Sequence, residues 1–345
     1  MTRAAGPIRV VAVGCGWVTV NRHIPAIRTT PGLTLAGVVD RRADRAQQTA
    51  ARLGVPNATR LDDPRLGDFD AVSIGTAPMS HHELTLSALA MGKHVLTEKP
   101  FAMTLVEADE MLAAARQASR VLAVIHNFQF ARSVAAARRI ASSGRHGALR
   151  GVIGLQLSNE RRRLPVWYKT LPGGLLYDEG PHLVYLVRAF LGDVGVVDAF
   201  GSPSASPDDN TPRLAAARFA DGRGGAFGAL QMSFAAALSE WQLVVMLERA
   251  TLVCDIFRDI LVTLPDDGRH VPWQIMRTSA LSSARHWWGV VTSGTRFLSR
   301  RLDYGNDEVF RRFAEAVRTG RSPEGISGRD GREVVAALHA IVGAL

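Results

Sequence analysis

The chain has 345 residues, 47% hydrophobic and 21% charged, with 41 Lys and Arg against 32 Asp and Glu for a formal net charge of +9. That length and balance describe a soluble globular protein of two domains with a sizeable core, and exclude a disordered or fibrous chain. The arginines are scattered in short clusters without a lysine-rich tail, which points to an anionic small molecule or a solvated basic face rather than nucleic acid.

Taken in chain order, the first 125 residues alternate short apolar runs with helical patterns. "IRVVAVG" reads as a strand followed by a helix through "RHIPAIRTT". "LTLAGVVD" is the second strand, before the helix "RADRAQQTAARLG". "DAVSIGT" precedes a helix over "HHELTLSALAMG", and "KHVLTEK" and "VLAVIHN" bracket the helix "TLVEADEMLAAARQAS". Apolar runs without alternation mark strands buried on both faces, and strand–helix repetition argues a parallel, doubly wound sheet. From about residue 126 the rhythm changes. A helix at "SVAAARRIASSG" and a strand at "ALRGVIGLQLS" lead to a glycine-opened helix over 173–191. Five strand-like runs separated by glycine-rich turns then suggest a large, mostly antiparallel open sheet. The expected fold is therefore α/β, with a Rossmann doubly wound parallel-sheet domain over 1–125 and an α+β domain with a large, mostly antiparallel open sheet over 126–345.

Cys15 and Cys254 have neither metal-ligand nor disulfide-framework spacing, so no metal site is expected. The N-terminus lacks a signal-peptide pattern, and no uncharged apolar stretch approaches the ~18 residues of a membrane span. These readings imply a cytoplasmic protein without stable membrane insertion.

The stretch "VVAVGCGWVTVNRH" sets Gly14 and Gly16 after a strand and before a helix, with Thr19 where a dinucleotide fingerprint has its third glycine. Such a turn lets the backbone approach a pyrophosphate at a helix N-terminus. Asp40, closing the second strand, stands where a carboxylate binds the adenosine ribose hydroxyls. An ordinary strand–turn–helix with Asp40 as a helix cap fits the same residues. Asp40 favours NAD, because a carboxylate repels a 2′-phosphate, while Arg41 and Arg42 keep NADP open.

Glu98, Lys99 and Pro100 follow a buried strand at the sheet edge where doubly wound folds bind ligands. A lysine there polarises a carbonyl or alcohol oxygen, or else forms a surface pair with Glu98. In "PGGLLYDEGPHLVYLVRAFLG", Asp178 and His182 lie four apart, on one face of a helix. They suit general acid–base work, but taken alone read more readily as a helix N-terminal carboxylate and a satisfied histidine. Arg161, Arg162, Arg163, Trp167, Tyr168 and Lys169 precede that helix and suit a sugar or a nucleotide diphosphate, or form an ordinary basic loop. The tryptophans and arginines of 281–304 suit a substrate lid, a subunit contact or a membrane-surface patch, and packing or a subunit contact is the favoured use.

Together these motifs resemble the Gfo/Idh/MocA family of NAD(P)-dependent oxidoreductases. The residues that carry the likeness are Gly14 and Gly16, Asp40, Thr76 with His81, Glu98-Lys99-Pro100, Gly173-Gly174 with Asp178, Gly180 and His182, and the closing "ISGRDGREVVAALHAI". The resemblance implies that Gly14, Cys15, Gly16, Trp17, Thr19, Asp40, Arg41, Thr76, His81, Glu98 and Lys99 serve the dinucleotide. It implies that Lys99 contacts the reacting oxygen, that His182 is the general acid–base and that Asp178 positions the substrate, in a cleft between the domains. Gln129, Arg163, Trp167 and Tyr168 become candidate contacts to a sugar, cyclitol or nucleotide sugar. The chain departs from the family pattern at Ala77, Gln129, Arg132 and Tyr185, the last replacing a frequent aspartate. The implied protein is a homodimeric or homotetrameric dehydrogenase. Two other readings fit the same scaffold: an NAD-dependent glycosidase working by transient C3 oxidation, and a non-catalytic ligand sensor.

Overall fold

The structure, a computed structural model, describes residues 6–345 apart from 163, 205–207, 222–224, 300, 301 and 303. Two compact units result. One is Met1–His126 with Asn306–Ala336, and the other is Asn127–Gly305 with Ala337–Leu345. The chain first crosses at His126, beside the 125/126 boundary read from the sequence, whereas 306–336 pack with the first unit.

The first unit holds β1 (Ile8–Val13), α1 (Ile24–Thr29), β2 (Leu33–Val39), α2 (Ala43–Leu53), β3 (Asn57–Ala58), β4 (Ala71–Ile74), α3 (His81–Ala90), β5 (His94–Thr97), α4 (Leu105–Ala118) and β6 (Leu122–Val124). Its six strands run in the order β3-β2-β1-β4-β5-β6, and every pair is parallel. Val10, Val11, Ala12, Val72 and Ile74 are fully buried, as a strand covered on both faces requires. Helix ends follow local chemistry. Gly54 closes α2 in the left-handed region, and the Thr104 hydroxyl accepts the Glu107 amide at the start of α4. The order reverses at β1, so the ends of β1, β4 and β5 meet where such sheets bind ligands.

The second unit contains α5 (Arg132–Ser142), β7 (Leu149–Asn159), α6 (Leu175–Leu191), β8 (Val194–Gly201), β9 (Leu214–Asp221), β10 (Phe227–Ala236), β11 (Glu240–Leu247), β12 (Ala250–Asp255), β13 (Ile260–Pro265) and α7 (Pro272–Leu298). The helices α8 (Asn306–Thr319) and α9 (Gly328–Gly343) complete the chain. The seven-stranded sheet, ordered β13-β12-β11-β7-β10-β9-β8, is antiparallel except for the pair β7 and β10. Along β11, Trp241, Leu243, Val245 and Leu247 are buried while Gln242, Val244 and Met246 are half-buried. That alternation leaves one face of the sheet partly open, as the sequence pattern led us to expect. The largely buried helix α6 packs on β7 and β10.

Candidate functional site: a glycine turn with tied loops, and an aromatic-caged histidine

Gly14 has φ +86°, and its amide donates to the Val39 carbonyl at 2.7 Å. A Cβ there would lie 2.7 Å from Thr76 Cγ2 and 3.1 Å from the Gly75 carbonyl oxygen, so only glycine makes this turn. A Cβ on Gly16 would meet nothing within 4 Å. That open space above the turn is what a close-lying pyrophosphate needs. Thr19 is fully buried, and its hydroxyl donates to the Gly75 carbonyl at 3.2 Å. The glycine absent at 19 thus stands at 75, on the facing loop, where a Cβ would come within 2.2 Å of Thr19 Oγ1.

Asp40 is buried at the end of β2. Its carboxylate accepts the Cys15 amide at 2.7 Å and the Arg42 amide at 2.9 Å, so it ties the glycine turn to its own strand. Arg42 pairs with Asp44 at 2.6 Å, while Arg41 is exposed. Trp17 is exposed beside Gly16, with the Arg22 guanidinium 5.5 Å from its ring centroid. A groove of about 280 Å³ is lined by Cys15, Gly16, Trp17, Arg45, Gln48, Thr49 and Arg52. Burial raises the Cys15 thiol, which therefore stays protonated. These residues fit a dinucleotide: a turn only glycine makes, open space above Gly16, and a carboxylate at the end of β2.

Two further loops are held against this one. His81 is fully buried; its Nδ1 lies 2.7 Å from the Pro100 carbonyl oxygen and its Nε2 3.2 Å from that of Thr76. It clasps the loop after β4 to the loop after β5. Burial holds its pKa below the ordinary histidine value, against the pull of both carbonyls. The Ser80 hydroxyl donates to Thr76 Oγ1 at 2.7 Å. Glu98 faces His23 Nε2 at 3.1 Å and accepts the Lys99 amide at 2.9 Å, while His23 Nδ1 lies 3.0 Å from Ser73 Oγ. Burial pushes the Glu98 carboxyl up, but the His23 hydrogen bond and charge and the nearby Lys99 outweigh it and keep the group ionised. The line Ser73–His23–Glu98 therefore fixes the backbone from which Lys99 projects. His23 and Ser73 were not singled out from the sequence, and a lone buried histidine gives no signal without its partner.

In the second unit, Gly173 and Gly174 have φ +70° and +57°, and the Leu175 amide donates to Thr211 Oγ1 at 2.9 Å as α6 begins. Asp178 and His182 are both buried on α6. His182 Nδ1 lies 2.7 Å from the Tyr185 hydroxyl, which also accepts the Phe128 amide at 3.1 Å. The rings of Phe128, Trp241 and Tyr185 surround the imidazole at centroid distances of 4.8, 5.1 and 5.5 Å. Tyr185 thus orients His182 by a phenol where a carboxylate would carry charge. Gln129 is buried in the turn Phe128–Phe130.

The arginine and aromatic segment before α6 divides. Arg162 pairs with Glu179, a buried carboxylate that also meets Gln156 and Ser158 on β7. Tyr168 is buried, and its hydroxyl donates to Asp209 at 2.7 Å. Burial and that carboxylate push its pKa up to about 12. Trp167 is half-buried, and Arg163 lies outside the described residues. The Glu179 cluster escaped sequence reading because its members come from two distant segments. Among the described residues, no group of three His, Cys, Asp or Glu is placed to hold a metal ion.

The fold and the glycine turn define an α/β protein with a dinucleotide-binding unit and a second, sheet-based unit. Residues 8–126 match the oxidoreductase family with an NAD-binding Rossmann fold, and residues 134–253 match the GFO/IDH/MocA C-terminal domain. The chain belongs to the Gfo/Idh/MocA family of NAD(P)-dependent oxidoreductases. It is 34% identical over 199 residues to D-glucoside 3-dehydrogenase of Escherichia coli (strain K12), covering 54% of this chain and 55% of that protein. It is 36% identical over 137 residues to 1,5-anhydro-D-fructose reductase of Ensifer adhaerens, covering 39% and 41%. The chain thus spans about half the length, or less, of these curated relatives. The fold is that of the WlbA dehydrogenase from Bordetella pertussis, solved with NADH and UDP-GlcNAcA, at TM-score 0.79, 20% identity and coverage of 98% and 95%.

Proposed function

We propose that the protein transfers a hydride between a nicotinamide and a hydroxyl or keto carbon of a sugar, cyclitol or nucleotide sugar. The observation that carries this reading is the brace Ser73–His23–Glu98 with the His81 clasp, which together fix the Glu98-Lys99-Pro100 loop at the strand ends beside the glycine turn. Relatives named for glucoside and anhydrofructose chemistry support the substrate class.

Bound nicotinamide would supply the hydride chemistry at its C4. Gly14, Gly16 and Thr19 would seat the pyrophosphate, and Asp40 the adenosine ribose, with NAD preferred over NADP. Thr76, His81 and Glu98 would shape the nicotinamide end from the loops after β4 and β5. Lys99 would hold the reacting oxygen by charge and hydrogen bonding. His182, oriented through Nδ1 by Tyr185, would take the hydroxyl proton at Nε2 in oxidation and return it in reduction. Asp178 would position the substrate. A homodimer or homotetramer covering the open sheet face is part of the same reading.

A polyol and nucleotide-sugar panel, followed by NADH absorbance with each cofactor, tests this. Lys99→Ala and His182→Ala should each cut kcat by about 10²–10⁴-fold while leaving the NADH Kd within about twofold. Near-native turnover in either variant would remove that residue from its role. Bound cofactor without turnover on any substrate would replace the enzyme reading by a sensor.

A further inference from the structure

The long helix α7 is amphipathic the wrong way round. Wound at about 100° per residue, Trp273, Met276, Trp287, Trp288, Val291 and Leu298 fall within one arc of about 120°. All six are exposed, Trp273 and Trp288 at 71%, Trp287 at 68% and Leu298 at 81%. On the opposite side, small and polar residues meet the edge strand β13. A Cβ on Gly289 would touch Ile260, the Ser293 hydroxyl donates to the Arg258 carbonyl, and Arg285 donates to the Thr263 carbonyl at the edge strand β13. The helix turns its aromatic residues outward along about 40 Å for its 27 residues, and Ser293 is its one buried residue.

Charge selects the occupant. Residues 272–298 contain no Asp or Glu, but carry Arg277, Arg285, His286 and Arg296; just before them Asp266 and Asp267 offset Arg269, and His270 pairs with Asp267. Two such helices face to face would oppose arginines with no carboxylate on either to pair them. No helix among the described residues is long and apolar enough to cross a membrane, so α7 has the length to lie along a bilayer but not the composition to span one. Tryptophans on one face with arginine and no acid suit the headgroup boundary of a negatively charged bilayer.

We infer that α7 docks the second unit flat on an anionic lipid surface, with Trp273, Trp287 and Trp288 entering the interface. This is independent of the catalytic reading. The test is co-sedimentation of the full chain with vesicles of equimolar phosphatidylglycerol and phosphatidylcholine, and with phosphatidylcholine alone. The anionic vesicles should bind about tenfold more tightly or better, and added salt should weaken that binding. The triple variant Trp273→Ala/Trp287→Ala/Trp288→Ala changes only exposed side chains and should keep its circular dichroism spectrum while losing binding about tenfold or more. Arg277→Glu should weaken binding to anionic vesicles only. Equal binding to both vesicle types, no binding to either, or native binding by the folded triple variant overturns the inference. So does loss of a homo-oligomer in the triple variant when the wild type ignores vesicles, because a second copy then covers the face.

Discussion

Replacing Gly75 by alanine tests whether the third fingerprint glycine has moved across to the facing loop. The backbone at 75 is not left-handed, so the effect is purely one of space. The new Cβ would sit 2.2 Å from Thr19 Oγ1 and 2.9 Å from His23 Cε1, where ordinary contact begins at 3.4 Å. Neither neighbour yields easily. Thr19 is β-branched and fully buried, and His23 is pinned by Ser73 and Glu98. Overpacking of this kind costs about 1–3 kcal/mol. Loss of the hydrogen bond from Thr19 to the Gly75 carbonyl adds about 1 kcal/mol. Gly75→Ala should therefore lower the stability of the first unit by about 2–4 kcal/mol. It should weaken NADH at least about tenfold, the equivalent of 1.4 kcal/mol, because the Gly14 turn rests on the same loop. Thr19→Gly removes the nearest obstructing atom, so Gly75→Ala made in that background should cost at least about 1 kcal/mol less. Urea midpoints and NADH titrations of the four proteins in the cycle give the numbers. Strict additivity, or a Gly75→Ala protein as stable as the parent, would refute the exchange of positions.

The second unit yields two more tests. Tyr185→Phe removes the partner of His182 Nδ1 and leaves the Phe128 amide without its acceptor. A loss of 1–2 kcal/mol corresponds to about 5–30-fold in kcat with KM nearly unchanged, and an unaltered pH–rate profile would argue against an orienting role. Gly174→Ala would drive a Cβ to 2.1 Å from Thr211 Oγ1 at a residue of φ +57°, so the variant should lose at least about 2 kcal/mol by thermal unfolding. The first unit carries a pH dependence. Burial, with the charge of Arg120, lowers His94 to about 4, and burial lowers His81. Their unfolded forms take up protons first, so this stability is complete above about pH 6.5 and is lost as pH falls toward 4. Thermal melts across that window should show Tm falling with acidification, and less steeply in His94→Gln. A Tm that rises on acidification would contradict the assignment.

Periodicity and the order of motifs made both sheets legible from the chain alone. The continuous apolar runs at β1, β2, β4, β5 and β6 need burial on both faces, which only a parallel sheet between helices provides. The two-residue β3 carries no such pattern. Gly14, Gly16 and the run Glu98-Lys99-Pro100 were readable because backbone geometry and strand ends impose their spacing locally. Tertiary structure alone decided the rest. It brought His23 to Glu98 across 75 positions, made Gly75 the counterpart of Thr19, and turned Tyr168 toward Asp209. It also closed the rings of Phe128 and Trp241, each more than fifty positions away, around His182. Local sequence determines which strands and turns form, because their forces act between near neighbours. Which buried polar group meets which depends on how distant segments pack, since each must find its partner wherever the fold excludes water.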